Sequence, residues 1–255
     1  MAKLISIDLP TANWPSSVPV RAIVPDGVGK RRDGSSAVLF LLHGLFGSCD
    51  NWVEQTPLVD LIDDREYIVV TPEAWDSWYI DGATDRNENY EQFFFNDLVP
   101  WTDEEFGPSP KRGIAGLSMG GFGAFVLGLK RPDLFRLAYS TSGAFVGPGL
   151  TRESNGFDEL KDSALKVFGS ANSPQRNEYD VFNLVRSLDA ETTPEFIFDC
   201  GTEDSLLEIN RSLVAVFTEK KIKFSFHPYA GGHDWGYWSA RLTEILDAAD
   251  RYLTN

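Results

Sequence analysis

Several short runs of the chain are apolar at every position, and this feature restricts the fold most strongly. Val38-Leu-Phe-Leu-Leu42 and Tyr67-Ile-Val-Val70 show no alternation of polar and apolar residues. Such runs are typical of parallel strands, because helices cover both faces of a parallel sheet. Similar runs, bounded by Gly, Pro or Asp, recur along the chain. Together these runs predict strands at 4–9, 20–24, 37–42, 67–71, 111–117, 137–140, 195–200 and 223–229.

Segments with the length and end signals of helices lie between these runs. The predicted helices are 91–106, 120–130, 160–168, 179–188, 205–220 and 238–253. Alternating strands and helices predict a mostly parallel α/β sheet, and the first two strands predict an antiparallel hairpin at its edge. No linker rich in Pro, Gly or Ser divides the chain, so we expect one domain over residues 1–255. The stretch at about 145–193 predicts a small cap-like insertion over the carboxyl ends of the strands.

Composition restricts the partners of the protein. A formal net charge of −15 disfavours nucleic acid, because phosphate binding needs clustered Lys and Arg. No apolar run approaches the roughly 18 residues of a membrane span. The first residues do not resemble a secretory signal, so we expect a cytoplasmic location and no membrane partner. Three His and two Cys in unsuitable spacing predict no metal site and no cofactor.

The strongest local motif is Gly116-Leu-Ser118-Met-Gly120, which matches G-x-S-x-G. A predicted strand precedes it and a predicted helix follows it, as the chemistry of this motif requires. The chain turns so sharply there that a Cβ at either neighbouring glycine would clash, and the turn exposes the hydroxyl of Ser118. A glycine-rich turn with an incidental serine is the alternative, but the flanking strand and helix favour a nucleophile.

A serine hydroxyl needs a base to become a nucleophile at neutral pH. Only His227 and His233 follow Ser118 in the chain. His227 lies inside a predicted strand, whereas His233 lies in a glycine-containing loop between the last strand and the last helix. We therefore predict His233 as the base and keep His227 as a minor rival.

The base in turn needs an acid that orients it, and the acid should follow the penultimate strand. Asp204 lies in the turn after that strand and is the predicted acid, although it could also simply cap the next helix. Glu203 is its nearest rival, and Asp199 falls inside the strand itself.

Two backbone N–H groups should stabilise the oxyanion of the tetrahedral intermediate. Met119, which follows the nucleophile, supplies the first predicted donor. Leu45, in the loop after the third strand, supplies the second. We expect the neighbouring His43 to bond the loop backbone rather than to transfer protons.

Tryptophans cluster around the predicted site loops and are candidates for substrate binding. Trp52, Trp78 and Trp235 are predicted to line the substrate pocket, with Trp52 and Trp78 on the acyl side. Trp75 and Trp238 are expected to pack in the core.

The motifs in combination resemble the esterase D family, which includes S-formylglutathione hydrolases, small acetyl esterases, feruloyl esterases and the antigen 85 mycolyltransferases. The motifs that carry this resemblance are His43-Gly-Leu-Phe-Gly-Ser-Cys-Asp-Asn-Trp52, Ser77-Trp-Tyr-Ile-Asp81, Gly116-Leu-Ser-Met-Gly-Gly-Phe-Gly-Ala124, Cys200-Gly-Thr-Glu-Asp204 and Gly231-Gly-His-Asp-Trp-Gly-Tyr-Trp238. The resemblance implies an α/β-hydrolase fold. It also implies a catalytic triad of Ser118, Asp204 and His233. The backbone N–H groups of Leu45 and Met119 would be the oxyanion donors.

The chain is thus expected to be a serine carboxylesterase that hydrolyses short-chain or aromatic acyl esters through an acyl-enzyme. The expected partner is a small-molecule ester, and the sequence leaves a homo-oligomer open. A thioesterase of the S-formylglutathione hydrolase type is the nearest alternative, because the same site performs both reactions. A non-catalytic binding protein on this fold is the alternative from another class.

Overall fold

One eight-stranded sheet organises the molecule. A computed structural model describes residues 1–26, 28, 36–83, 87–154, 158–189 and 193–254. The strands are β1 (Lys3–Leu9), β2 (Val18–Val24), β3 (Ala37–Leu42), β4 (Tyr67–Pro72), β5 (Arg112–Leu117), β6 (Leu137–Thr141), β7 (Glu195–Gly201) and β8 (Phe224–Tyr229). Their order is β1-β2-β4-β3-β5-β6-β7-β8, with antiparallel pairing only at β1–β2 and β2–β4. The predicted edge hairpin and mostly parallel sheet are confirmed.

Both faces of this sheet are covered, as the apolar runs predict. All six residues of β3 are buried. Phe40 and Leu42 belong to an apolar cluster on one face, whereas Leu39 and Leu41 belong to a separate cluster on the other face. Alternate side chains of a strand point to opposite faces, so β3, which has a core on each side, is apolar at every position.

Ten α-helices of the described ranges flank the strands, and their ends differ from the prediction in several places. They are α1 (Asn51–Gln55), α2 (Leu58–Ile62), α3 (Tyr90–Phe93), α4 (Val99–Phe106), α5 (Met119–Lys130), α6 (Asp158–Phe168), α7 (Pro174–Glu178), α8 (Val181–Ser187), α9 (Leu207–Lys220) and α10 (Trp235–Ala249). The short helices α1, α2 and α7 were not predicted. None of the ten has both the length and the apolar character that a bilayer span requires.

The predicted helix 91–106 is interrupted by a π-helical turn at Phe94–Leu98. In that turn the amide of Val99 donates to the carbonyl oxygen of Phe94, five residues back. Pro100 follows directly and has no N–H to continue the regular ladder. The wider turn before the proline therefore replaces the unbroken helix that the apolar pattern predicted.

The strand order brings four loops to one edge of the sheet. β3 pairs with β5, although β4 lies between them in the chain. The loop after β3 and the turn after β5 are therefore neighbours at the carboxyl ends of the strands, where ligands bind in open α/β sheets. The loops after β7 and β8 reach the same edge from the other half of the sheet.

Candidate active site

Ser118 occupies the turn between β5 and α5 in a strained conformation. Its φ of 52° and ψ of −115° are unusual for a residue with a side chain. Its amide donates to the carbonyl oxygen of Thr141 at 3.0 Å, and its carbonyl oxygen accepts from the amides of Phe122 and Ala144. These bonds hold the turn against the end of β6, so the surrounding backbone maintains the strain.

The two glycines of the motif are required by close backbone contacts. A Cβ on Gly116 would lie 2.4 Å from the carbonyl oxygen of Gly120. A Cβ on Gly120 would lie 2.5 Å from the carbonyl oxygen of Leu42. The turn can therefore pack against β3 only with glycine at both positions.

Ser118, His233 and Asp204 form one continuous chain of hydrogen bonds. Ser118 Oγ lies 3.0 Å from His233 Nε2. His233 Nδ1 lies 2.8 Å from Asp204 Oδ2. The three residues come from loops after β5, β7 and β8, and the sheet edge brings them within reach of each other.

Asp204 is buried at the end of this chain of bonds. Burial alone would raise the pKa of its carboxyl, but hydrogen bonds from His233 and the Leu206 amide outweigh it and lower that pKa. Asp204 Oδ1 accepts from Leu206 N at 2.8 Å, so the side chain stabilises the turn into α9 and also orients the imidazole. Asp204 therefore bonds the turn before α9 but does not cap that helix, whose N-cap residue is Leu206.

The rival residues lie elsewhere. His227 is exposed on β8, the edge strand, with its ring beside Tyr229. Glu203 is exposed. Asp199 is fully buried beneath the site and bonds three hydroxyl groups instead of an imidazole.

The loop after β3 lies directly beside Ser118. A Cβ built on Gly44 would lie 3.5 Å from Ser118 Cβ, and Leu45 lines the same cavity as Ser118. Met119 N is the first amide of α5, where helix N–H groups have no intrahelical partner. Among the described residues neither the Leu45 amide nor the Met119 amide has a hydrogen-bond partner, so both remain available to an oxyanion.

His43 and Glu73 connect this loop to the end of β4. His43 Nδ1 lies 2.7 Å from the Gly44 carbonyl oxygen, and Nε2 accepts from the Ala74 amide at 2.9 Å. Glu73 accepts from the amides of Trp75 at 2.8 Å and Cys49 at 3.1 Å. Burial alone would raise the pKa of Glu73, but His43 and these amides outweigh it and lower that pKa to about 2.

We expect Glu73→Gln to weaken the dependence of stability on acid pH. Between pH values of about 4.5 and 2 the unfolded state binds a proton at Glu73 while the folded state stays ionised. Wild-type stability should therefore fall by up to ~3 kcal/mol as the pH drops through this window. Urea unfolding at several pH values measures this slope, and the variant should show a shallower one.

The exposed Glu54 on α1 provides the control for that measurement. Glu54→Gln makes the same chemical change at the surface and should keep the wild-type slope. If Glu73→Gln kept that slope as well, the lowered pKa of Glu73 would not be the source of the acid sensitivity.

Asp199 connects β7 to the helix that follows His233. Its carboxylate accepts from Thr141 Oγ1 at 2.6 Å, Tyr237 Oη at 2.7 Å and Tyr139 Oη at 2.8 Å. Tyr237 also packs on Gly231, where an added Cβ would lie 2.7 Å from the Tyr237 ring. Tyr237 therefore contacts residues on both sides of His233 and ties that loop to β7.

Tyr237→Phe is expected to lower kcat/KM for p-nitrophenyl acetate about tenfold, because small displacements of a catalytic base are costly. Tyr139→Phe removes a donor from the same carboxylate, but Tyr139 lies on β6 and not on the helix that follows His233. Both variants should lose about 1–3 kcal/mol of stability in urea unfolding. Equal rate losses in the two variants would contradict a role for Tyr237 in positioning His233.

A cavity of about 430 Å³ opens over Ser118. Its polar members are Ser118, His233, Ser205 and Asn51, and its other lining residues are Gly44, Leu45, Phe46, Gly47, Leu117, Ala144, Val146, Leu160, Leu206, Trp235 and Trp238. This volume lies within the range of small-molecule sites in proteins. No Lys or Arg of the described residues lines it, and no cluster of three or more His, Cys, Asp or Glu in those ranges could hold a metal ion.

The structure corrects the predicted pocket tryptophans. Trp52 and Trp78 are fully buried and do not line the cavity. Trp52 Nε1 donates to the Leu42 carbonyl oxygen, and Trp78 Nε1 donates to Ser163 Oγ, so both indoles fix the scaffold instead. Their position beside site loops suggested a pocket role, but packing turned both rings inward.

Trp235 lines the cavity as predicted from the sequence, and its ring packs edge-to-face on buried Trp52. Trp238 was expected in the core. It is buried, but it also lines the cavity and packs edge-to-face on the His233 ring at 5.0 Å between centroids. The two roles are compatible because α10 begins at Trp235, two residues after His233, so Trp238 lies in its first turn.

Six apolar residues of the lining were not predicted: Phe46, Leu117, Ala144, Val146, Leu160 and Leu206. Phe46, Leu117 and Leu206 lie within two residues of Leu45, Ser118 and Asp204, so their places in the chain could have indicated them. The other three come from segments that reach the site only through tertiary packing, and no local pattern marks them.

An α/β-hydrolase fold with a strained serine, a histidine and a buried aspartate at one sheet edge defines the class of this protein. The Esterase family model, described as "Putative esterase", matches residues 12–249. The chain belongs to the Esterase family and is a serine esterase by class.

Relatives and solved structures agree with this placement. The chain is 30% identical over 217 residues to an acetyl esterase of Caldicellulosiruptor saccharolyticus, covering 82% of this chain and 81% of the relative. It is 24% identical over 235 residues to the S-formylglutathione hydrolase of Bos taurus, covering 82% and 80%. A ferulic acid esterase structure has a TM-score of 0.81 at 24% identity and covers 99% of this chain and 98% of its own, which shows the shared fold.

Proposed function

We propose that the protein is a carboxylesterase that cleaves short-chain or aromatic acyl esters through an acyl-enzyme on Ser118. The single observation that carries this proposal is the chain of bonds from Ser118 Oγ to His233 Nε2 at 3.0 Å and from His233 Nδ1 to Asp204 Oδ2 at 2.8 Å. This order of nucleophile, base and orienting acid converts an inert hydroxyl into a nucleophile.

The proposed reaction has two steps. His233 Nε2 takes the proton of Ser118 Oγ as the oxygen attacks the ester carbonyl, and the N–H groups of Leu45 and Met119 stabilise the oxyanion. The C–O bond to the alcohol then breaks, and the alcohol leaves with the proton from His233. Water repeats the sequence on the acyl-enzyme, releasing the acid and restoring Ser118.

The ionised state of Asp204 supports this assignment. Because its pKa is lowered, the carboxylate carries a negative charge at neutral pH and stabilises the imidazolium that forms during each step. Asp204 also accepts a bond from Nδ1, so the lone pair of Nε2 faces Ser118.

The lining of the cavity favours an ester over a glutathione thioester. Glutathione carries carboxylates, and carboxylates are bound in proteins mainly by Arg and Lys. The described lining of the Ser118 cavity contains neither residue, whereas it is rich in apolar side chains. The net charge of −15 further disfavours an anionic substrate.

We propose that the protein binds a small-molecule ester and acts in the cytoplasm. We propose no nucleic acid or membrane partner. The charge supports the exclusion of nucleic acid, because a protein of net charge −15 repels phosphates.

Labelling and kinetics together test this function. A fluorophosphonate probe should form a covalent adduct at Ser118, and its absence would favour a non-catalytic binding protein. Values of kcat/KM for p-nitrophenyl acetate, a feruloyl ester and S-formylglutathione should then be compared. We expect an ester to have the highest kcat/KM. A dominant preference for the thioester would show that thioester hydrolysis, and not ester hydrolysis, is the main activity.

A further inference from the structure

A second cavity of about 420 Å³ lies beside the Ser118 cavity. Most of its lining is apolar and includes Phe145, Leu150, Phe182 and Ile209. Val146 lines both cavities, so the two are adjacent across one partly exposed side chain. Nothing in the triad or the oxyanion site uses the second cavity.

The start of α9 forms a common wall for the two cavities. Leu206 lines the first and Ile209 lines the second, and both are partly buried apolar residues. Leu206 is the N-cap residue of α9 and Ile209 lies in its first turn. The two cavities therefore lie side by side along the start of this helix and share Val146.

The polar groups of the second cavity do not provide a site for a charged ligand. Asp180 is its one titratable residue within the described ranges. Its carboxylate caps α8 by accepting from Phe182 N at 2.8 Å and Asn183 N at 3.4 Å. No Lys or Arg of these ranges lines the cavity, so its chemistry suits an uncharged apolar chain.

Arg176 holds the outer wall of this cavity in place. Its guanidinium donates to the carbonyl oxygens of Pro148 at 2.6 Å, Leu150 at 2.8 Å and Gly169 at 2.8 Å. Pro148 and Leu150 belong to the cavity lining. Because these bonds fix the backbone before any ligand arrives, binding there would lose little conformational entropy.

We propose that the second cavity is a subsite for an alkyl chain of the ester substrate, which extends past Val146 from the carbonyl held at Ser118. The inference rests on the proposed esterase function and extends its substrate class from acetyl-sized groups to medium-length chains. Each methylene transferred from water to such a cavity should raise kcat/KM about fourfold, which corresponds to about 0.8 kcal/mol.

Two substrate series test the subsite and distinguish the acyl chain from the alcohol chain. One series is p-nitrophenyl acetate, butyrate, hexanoate and octanoate. The other is acetate esters of ethanol, butanol, hexanol and octanol. We expect kcat/KM to rise with chain length in one series, and the series that responds identifies the part of the ester that occupies the cavity.

Substitutions in α9 test whether the second cavity causes the dependence of kcat/KM on chain length. Ile209→Trp fills the second cavity and should lower the ratio of kcat/KM for the longest to the shortest ester at least about tenfold, since several methylenes lose their contacts. Ile209→Ala removes apolar contact with less disturbance of folding and should lower the same ratio severalfold. Ala215→Trp, an exposed position on the same helix, is the matched control and should keep the wild-type ratio.

Two results would overturn the subsite: flat profiles in both series, or an unchanged ratio in Ile209→Trp and Ile209→Ala. Failure of the proposed function gives a different result, because Ser118 would then take no fluorophosphonate label and no ester of either series would be cleaved.

Discussion

Replacing Ser118 with alanine is expected to lower kcat for p-nitrophenyl acetate by about 10⁵–10⁶-fold, the loss typical of removing the nucleophile of a triad. His233 and Asp204 remain in place, but without Ser118 Oγ no acyl-enzyme can form. The Leu45 and Met119 amides can still stabilise an oxyanion, so a residual rate above that of water is expected. Steady-state kinetics with active-site labelling by a fluorophosphonate measures the change.

Ser212→Ala on the exposed face of α9 is the control for the loss of a serine hydroxyl. It should keep wild-type kinetics and labelling. Urea unfolding should place both variants within about 1 kcal/mol of the wild type, because neither creates a large cavity. If Ser118→Ala retained a tenth of the wild-type rate, Ser118 would not be the nucleophile.

Gly120→Ala is expected to destabilise the protein by about 3 kcal/mol or more and to lower kcat/KM at least about a hundredfold. In a free helix the same change would stabilise by about 1 kcal/mol. The added Cβ would, however, lie 2.5 Å from the Leu42 carbonyl oxygen and 2.6 Å from the His43 carbonyl oxygen. Backbone atoms cannot rotate away as side chains can, so the steric cost dominates and α5 must shift from β3.

The control for this variant is Gly149→Ala, because an added Cβ at Gly149 has no neighbour within 4 Å. Its unfolding free energy should stay within about 0.5 kcal/mol of the wild type. Urea unfolding and kcat/KM for both variants test the contrast. If Gly120→Ala and Gly149→Ala had the same unfolding free energy and kcat/KM, the close contact between β3 and α5 would not be required for stability or activity.

Several elements show which parts of the fold follow from local pattern. The strands β3 and β4 were predicted within a residue because all of β3 and the first four residues of β4 are apolar, as burial on two faces favours. The helix predicted at 91–106 was wrong in its middle, since apolar periodicity does not register a missing N–H at Pro100. The helices α1 and α2 are only five residues long, too short for a periodic signal.

The site shows the same division between local and distant causes. The strained turn at Ser118 was predicted because a nucleophile of this type needs such a turn, and the turn needs glycines at fixed spacing. His233 and Asp204 followed from their places after the last two strands. Trp52 and Trp78 were misplaced because an indole beside a site loop can face either way. Trp52 bonds the Leu42 carbonyl oxygen and Trp78 bonds Ser163, a residue 85 positions away.

The parallel sheet, the strained serine turn and the order of the residues that meet at the sheet edge follow from local features of the chain. Each of these depends on local rules: burial of both strand faces, the small size of glycine, and the position of a loop after its strand. The lining of the cavity, the second cavity beside Val146 and the bonds of Asp199 to three hydroxyl groups could not be predicted in this way. Those features arise where side chains from distant segments pack together, and the direction of each side chain depends on all its neighbours at once.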